Sequence, residues 1–222
     1  MFKTWPGESF TLRGLRNKVT GARLLADGRV LVPVSQSHDK KTDRHSVTLT
    51  LPARAPDKRV SVVVLEFSGK ADGDPMPQEQ ADGSVALPVH LAKIRGDGVR
   101  LGRDGAVEGW KSTDAKLAWQ FKLTAPGTFN VHVLTTAHGR RKAQFGDHEV
   151  TAGVGKVSVS GPAGVCNLDP DSKEENWQFV VNPLGPLAIR KTKKVELILK
   201  ASAIDGNAGL GLTVAGVKLV RR

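Results

Sequence analysis

Two tryptophans are the residues of this chain best suited to binding a ligand, and they lie nine residues apart in the segment GWKSTDAKLAWQF. Trp119 alternates with Leu117 and Phe121, and residues two apart on a strand share one face. We therefore expect Trp119 to point into a hydrophobic core. Trp110 precedes the polar run KSTDAK. We expect it in a loop at one end of a sandwich, where aromatic rings are free to bind; a cap on the core is the alternative.

The other reactive side chains form no catalytic or metal-binding motif. No histidine pair has the H-E-x-x-H spacing, and no nucleophile elbow or phosphate-binding loop occurs. Glu174 and Glu175 are adjacent in a polar loop, whereas a glycosidase needs two carboxyls that face each other across a sugar. The single cysteine, Cys166, rules out an internal disulfide and a cysteine-cluster metal site. The sequence predicts no catalytic residue and no metal site.

The elements that must position these residues are strands, because the dominant period of the apolar residues is two. Two apolar runs flank Ala26-Asp27-Gly28, which is a hairpin signal. The run RVSVVVLEFSG is apolar at almost every position, which is typical of a strand buried on both faces. The stretches 117–123 and 129–133 are predicted to pair as an antiparallel hairpin around TAPGT. Short strands with frequent turn signals favour an all-β fold built of sandwiches.

A change of composition divides the chain. Residues 69–88 are rich in Gly, Pro, Asp and Gln, which indicates a linker. The sequence therefore predicts a first β unit over residues 1–70, a linker over 71–84 and a second β unit over 85–222.

The formal net charge of +11 is spread along the chain. Residues 1–74 hold 13 basic and 8 acidic residues, and residues 75–222 hold 20 and 14. An even excess predicts a solvated basic surface rather than a specific nucleic-acid site. No apolar run approaches the roughly 18 residues of a membrane-spanning helix, and the first residues lack the pattern of a signal peptide. We expect no membrane partner, and the compartment stays open.

Several stretches resemble α-L-fucosidases of the glycoside hydrolase class. The segments GLRNKVTGARLLADGRVLVPV and LPARAPDKRVSVVVLEFSG resemble the β-domain that follows the catalytic barrel. The segments GSVALPVHLAKIRGDGVRL and WKSTDAKLAWQFKLTAPGTFNVHV resemble the galactose-binding-like jelly-roll module appended in many bacterial members. The resemblance covers nearly the whole chain, and it implies two β-sandwich units without the catalytic barrel. We therefore expect no enzymatic activity; the parent family is usually periplasmic or extracellular.

The resemblance also implies a sugar-binding surface. In such modules an aromatic residue precedes the W-x-F strand and a tryptophan follows in a later loop; Trp110 and Trp177 match these positions. Thr213 stands where relatives carry an asparagine. Glu175 and Asn176, which directly precede Trp177, are candidates to donate or accept hydrogen bonds to the sugar. The basic run 140–142 is a further candidate. These residues are expected to gather at one end of the second unit.

Bound calcium is not expected. Many relatives carry acidic residues in a motif that helps to hold a structural calcium ion. Here the stretch reads LPVHLAKI, with Val89, His90 and Leu91 in those places. No other cofactor is implied.

Two functions follow from these expectations. The first is a non-catalytic carbohydrate-binding region that stacks sugars on tryptophan rings, with a fucosylated glycan among the candidate ligands. The alternative is a pair of structural β-domains that pack on a catalytic partner domain, in which Trp110 and Trp177 would be buried.

Overall fold

A computed structural model describes residues 5–32, 34–40, 43–57, 60–102, 105–138, 145–165 and 177–222. Strands account for its regular structure apart from one short 3-10 helix, Val89–Leu91, and one further helical residue, so the predicted all-β class is confirmed. The described part of the chain contains no helix long and apolar enough to cross a membrane. The chain divides into two compact units, residues 1–82 and residues 83–222.

Unit 1 consists of two small antiparallel sheets. Its strands are β1 (Ser9–Arg13), β2 (Val19–Leu24), β3 (Val34–Asp39), β4 (Arg44–Thr50) and β5 (Val63–Phe67). One sheet has the order β1-β4-β3, and the other pairs β2 with β5. The alternating residues Val47, Leu49 and Leu51 are buried and form part of the unit's core. The predicted hairpin around 26–28 is present as a turn with one bridge, between Arg23 and Val30, whereas β2 pairs with β5 and β3 with β4.

The strand β5 is not buried on both faces, contrary to the prediction. Among the described residues it pairs with β2 alone, and its apolar side chains are half-buried. Val60 and Val62, which precede it, are exposed. The prediction was wrong because a continuous apolar run indicates two covered faces only when the strand lies between covering layers.

The predicted linker is mostly part of unit 1. Gly73 pairs with Leu15 in an antiparallel bridge. The Arg13 guanidinium donates from Nη1 to the carbonyls of Glu79 and Gln80, at 2.7 and 2.9 Å. Both Gln78 and Glu79 are buried. A polar, Pro-rich composition was therefore misread as a free linker, since its backbone is bound by a side chain from β1.

Unit 2 is a sandwich of two larger sheets. Its strands are β6 (Ser84–Pro88), β7 (Lys93–Arg95), β8 (Arg100–Leu101), β9 (Val107–Trp110), β10 (Lys116–Phe121), β11 (Gly127–His138), β12 (Asp147–Val154), β13 (Val157–Gly164), β14 (Trp177–Ile189), β15 (Val195–Ala203) and β16 (Leu212–Arg221). The five-stranded sheet has the order β13-β12-β15-β10-β7. The six-stranded sheet has the order β14-β11-β16-β9-β8, and β6 also pairs with β16.

The core of unit 2 collects the inward residues of both sheets. Trp119 lies opposite Leu197 across β10 and β15, and its side chain is 1% exposed. The indole N–H donates to the Pro88 carbonyl at 2.9 Å, so the one polar atom of the ring is satisfied. The predicted core position of Trp119 is confirmed.

The strands β10 and β11 do not form the predicted hairpin. The first pairs with β15 and β7, and the second pairs with β14 and β16 in the other sheet. The turn TAPGT therefore connects the two sheets. The prediction was wrong because alternation shows which face of a strand is buried, but not which strand lies beside it.

Candidate functional site

Trp110 belongs to the core rather than to an exposed loop. It is the last residue of β9, and its side chain is 0% exposed. Its indole N–H donates to the Ser112 carbonyl at 3.0 Å. Gly109 has a φ of +74°, a conformation that glycine adopts without steric cost. The prediction of a free tryptophan was wrong, because a fully buried ring offers no face to a sugar.

The register of the six-stranded sheet brings the backbones of the other described candidates to the same end as Trp110, because Trp110 is opposite Leu212 at the start of β16 and the end of β11 is opposite the start of β14. Thr213 lies within β16, is 7% exposed, and donates its hydroxyl hydrogen to the Thr136 carbonyl, so the expectation that it contacts a ligand was also wrong. Trp177 opens β14, where its backbone is opposite His138. Glu175 and Asn176 lie outside the described residues, as do Glu174, Cys166 and the basic run 140–142.

An exposed aromatic residue on β14 escaped the sequence analysis. Phe179 is 72% exposed, and Val181, two residues later, is also exposed. Both alternate with the buried residues Val180 and Asn182. The sequence could have indicated this exposed face, because residues two apart on a strand lie on the same face and Phe179 and Val181 are two apart.

A groove lies on the outer face of the five-stranded sheet. It has a volume of about 340 Å³ and is open to solvent. Its walls are formed by Lys116, Thr151, Gly153, Gly155, Lys156, Ser158, Ile198 and Lys200. These residues supply ammonium groups, hydroxyls, bare backbone and one branched aliphatic side chain.

Strand alternation builds this groove. On β10 and β15, the residues Leu117 and Leu199 face the core, so Lys116 and Lys200 face outward. On β12 the core residue is Ala152, and Thr151 faces outward beside it. The same strands that bury the core therefore position the groove.

The β12–β13 hairpin supplies one wall of the groove. Gly155 and Lys156 form its turn, and Gly155 has a φ of +61°. A side chain at Gly155 would meet no atom within 4 Å, so its role is conformational. The turn places the Lys156 side chain along the groove.

The register brings two lysines face to face. Lys116 is directly opposite Lys200 on the neighbouring strand, and Lys200 is opposite Thr151 on its other side. The Thr151 hydroxyl lies 2.8 Å from the Ser160 hydroxyl and 3.4 Å from that of Ser202. The arrangement gathers hydrogen-bond donors and acceptors around an open space.

A second cluster of reactive groups lies in unit 1. His38 and His45 are opposite each other on β3 and β4, with parallel rings 3.9 Å apart. The His38 Nε2 atom is 3.2 Å from Asp43 Oδ1, and Arg16 lies 4.0 Å from the same carboxylate. One ligand atom from each of His38, Asp43 and His45 lies within 4.8 Å of the others. Two imidazoles and a carboxylate form a donor set that suits a transition metal ion.

The local environment also shifts a proton equilibrium in this cluster. Burial and the neighbouring His38 lower the pKa of His45.

The seven-residue spacing of the two histidines matches no metal-binding motif, which is why the sequence analysis missed the cluster. Only the hairpin register brings them together.

Several solved structures are similar to this chain. An α-L-fucosidase from Vibrio sp. strain EJY3 superposes with a TM-score of 0.64 and 17% identity, over 99% of this chain and 37% of its own. A GH26-CBM35 β-(1,4)-mannanase from Podospora anserina gives a TM-score of 0.41 and 16% identity, over 64% and 28%. An insecticidal delta-endotoxin from Bacillus thuringiensis gives 0.46 and 13%, over 87% and 30%.

The likeness to the fucosidase shows a related fold. No protein-family model matches the sequence, and no curated protein matches it either. The chain spans 37% of the length of the fucosidase that it resembles.

Proposed function

We propose that this chain is a non-catalytic carbohydrate-binding region of a fucosidase-like protein, and that the groove on the five-stranded sheet is its ligand surface. The likeness in fold to the fucosidase extends over both units, and it supports the proposal that the chain belongs to a fucosidase-like protein. A fucosylated glycan stays within the proposed ligand class.

The groove is the observation that carries this proposal. Its volume of about 340 Å³ lies in the range of small-molecule sites. The hydroxyls of Thr151 and Ser158 and the lysine ammonium groups can bond sugar hydroxyls, and Ile198 offers an apolar contact to the C–H face of a sugar ring. Gly155, where a side chain would meet no atom within 4 Å, leaves its backbone open to a ligand.

The proposed role is binding rather than hydrolysis. The lining of the groove includes no carboxylate, whereas glycoside hydrolysis ordinarily uses a pair of them. We expect an aryl fucoside to be hydrolysed no faster than the background rate. We also expect sugar binding to need no cofactor.

A second contact surface is proposed on β14. Trp177, Glu175 and Asn176 keep their predicted role in sugar binding. The exposed ring of Phe179, two residues after Trp177, supports an aromatic contact there.

The test of the groove is a blocked variant. Ser158→Trp places a large ring in the groove and should abolish oligosaccharide binding measured by calorimetry. Ser37→Trp, an exposed strand position in unit 1, is the matched control and should bind as the parent does. Retention of binding by Ser158→Trp together with its loss in Phe179→Ala would move the ligand surface to β14 and refute the groove.

Exposed apolar side chains on unit 1 favour a second candidate function, which is packing against a catalytic partner domain. Leu25, Val30, Val32, Val60 and Val62 are all exposed. The Leu25 N–H donates to the Val62 carbonyl, so these two residues are neighbours. Copurification with an isolated fucosidase barrel that is abolished by Val32→Lys, but not by Ser158→Trp, would favour this function.

A further inference from the structure

We propose that the groove selects an anionic saccharide, a sugar that carries a carboxylate or a sulfate ester. The saccharide part of this inference rests on the proposed function, and the charge selection rests on the lysines.

The first argument is the cross-strand lysine pair. Lys116 and Lys200 are directly opposite in the register of β10 and β15. Residues in this relation have Cβ atoms about 4.5–5.5 Å apart, and like charges there destabilise the sheet. Elsewhere the same protein sets opposite charges together, as at Arg100 and Glu108, whose side chains are 3.3 Å apart. An anion bound between the two lysines would offset their repulsion.

The second argument is the absence of a countercharge within the described residues. Lys116, Lys156 and Lys200 have no ion pair or side-chain hydrogen bond there, and the groove lining includes no acidic residue. Glu196, which lies on β15 on the same face as Lys200, pairs with Arg95 at 3.2 Å. Three lysines thus line one groove without an acidic partner among the described residues.

The third argument concerns the chemical groups that the ligand must carry. Each ammonium group has three N–H donors and no acceptor, so it suits the oxygens of a carboxylate or a sulfate. The hydroxyl of Thr151 and the side chain of Ile198 lie in the same groove and suit the hydroxyls and the C–H face of a sugar ring. The lining has no aromatic side chain on which a nucleic-acid base could stack. These features favour a saccharide over a single-stranded nucleic acid.

The experiment compares an oligohexuronate with its methyl ester, which has the same length and no charge, by calorimetry on the full chain. The acid should bind about tenfold or more tightly than the ester, since one charge-assisted hydrogen bond contributes that much. Lys200→Gln and Lys116→Gln should each remove about tenfold of the acid's affinity. The matched control, Lys218→Gln on an exposed position of β16, should change it less than about twofold.

A second readout needs no ligand. Removing one of two facing like charges should raise the melting temperature of the free protein in Lys200→Gln, whereas Lys218→Gln should leave it unchanged. A lower melting temperature in Lys200→Gln would contradict the repulsion argument.

The possible failures are distinguishable. Equal binding of acid and ester, with both lost in Ser158→Trp, would overturn the charge selection and leave the proposed function standing. Binding of neither saccharide would overturn the charge selection, and the proposed function would fall with it if a fucosylated oligosaccharide also failed to bind. Tighter binding of a single-stranded oligonucleotide than of the uronate, with the same dependence on Lys116 and Lys200, would overturn the saccharide as the ligand.

Discussion

At the scale of single residues, Trp110 and Trp119 bury their rings in the same core. Replacing either with alanine leaves a cavity, so we expect each substitution to lower the free energy of unfolding by about 3–5 kcal/mol. Urea denaturation followed by circular dichroism measures this loss. Phe179→Ala is the control, because its exposed ring should contribute within about 0.5 kcal/mol. A small loss in Trp110→Ala would mean that β9 does not hold the ring in the core.

The lowered pKa of His45 predicts that the stability of unit 1 depends on pH. Burial and His38 lower its pKa below the ordinary value of 6.5, Arg16 acts in the same direction, and Asp43 and Asp74 oppose them. Because the unfolded chain binds the proton more readily, the stabilisation is complete above pH 6.5 and is lost as the pH falls through the folded pKa. We expect the protection factors of the β4 amides, which correct for the slower intrinsic exchange at lower pH, to fall below pH 6.5. In His45→Gln this part of the pH dependence should disappear; its persistence would assign the effect to another group.

The two tryptophans show what a sequence can and cannot predict about a residue. Trp119 was predictable because it alternates with apolar neighbours in an uninterrupted strand. Trp110 was not, because it follows a glycine and precedes a polar run, which are also the marks of a loop. Its burial depends on the positive φ of Gly109 and on the contact of that backbone with Gly98. These features come from tertiary structure.

At the scale of elements, the side chain of Arg13 binds the segment 74–82 to unit 1 near its end, beyond the backbone contact of Asp74 with Gly14. Burial and the neighbouring Arg44 lower the pKa of Arg13, and Arg13 donates two hydrogen bonds to backbone carbonyls of this segment. Arg13→Met keeps the aliphatic stem and removes both bonds. We expect limited proteolysis to cut residues 75–82 sooner in this variant. Arg23→Met, which removes only an exposed ion pair with Glu66, should be cut at the parental rate.

If Arg13→Met and the parent were cut at the same rate, other contacts would hold the segment. Gly73, which pairs with Leu15, and the buried side chain of Asp74, which accepts a hydrogen bond from Gln78, are the next candidates.

Strand pairing is the part of the fold that alternation left open. The faces of β10 and β15 were predictable, since Leu117, Leu197 and Leu199 repeat every second residue. The groove depends on a further fact, which is that Lys116 and Lys200 fall opposite each other. These lysines are 84 positions apart in the chain, and no local pattern brings them together. The same limit explains the erroneous β10–β11 hairpin and the missed pair of His38 and His45.

At the scale of the whole molecule, the net charge and the groove should act separately. The chain has 33 lysines and arginines and 22 aspartates and glutamates, which gives a formal net charge of +11. Replacing Lys116, Lys156 and Lys200 with glutamine lowers it to 11 − 3 = +8. The same change results when Lys18, Lys111 and Lys218, which are exposed and lie outside the groove lining, are replaced. The two triple variants therefore differ only in where the charge is lost.

Retention on a phosphate-bearing resin sums many weak contacts of exposed basic groups over the whole surface, and no single site dominates it unless that site binds phosphate specifically. We expect both triple variants to elute at the same salt concentration, below that of the parent. Affinity for the oligohexuronate reports the groove, so it should fall steeply in the groove variant and little in the control. The contrary result is a loss of retention in the groove variant alone. It would mean that Lys116, Lys156 and Lys200 bind polyanions in general, and that the charge spread over the rest of the surface contributes little.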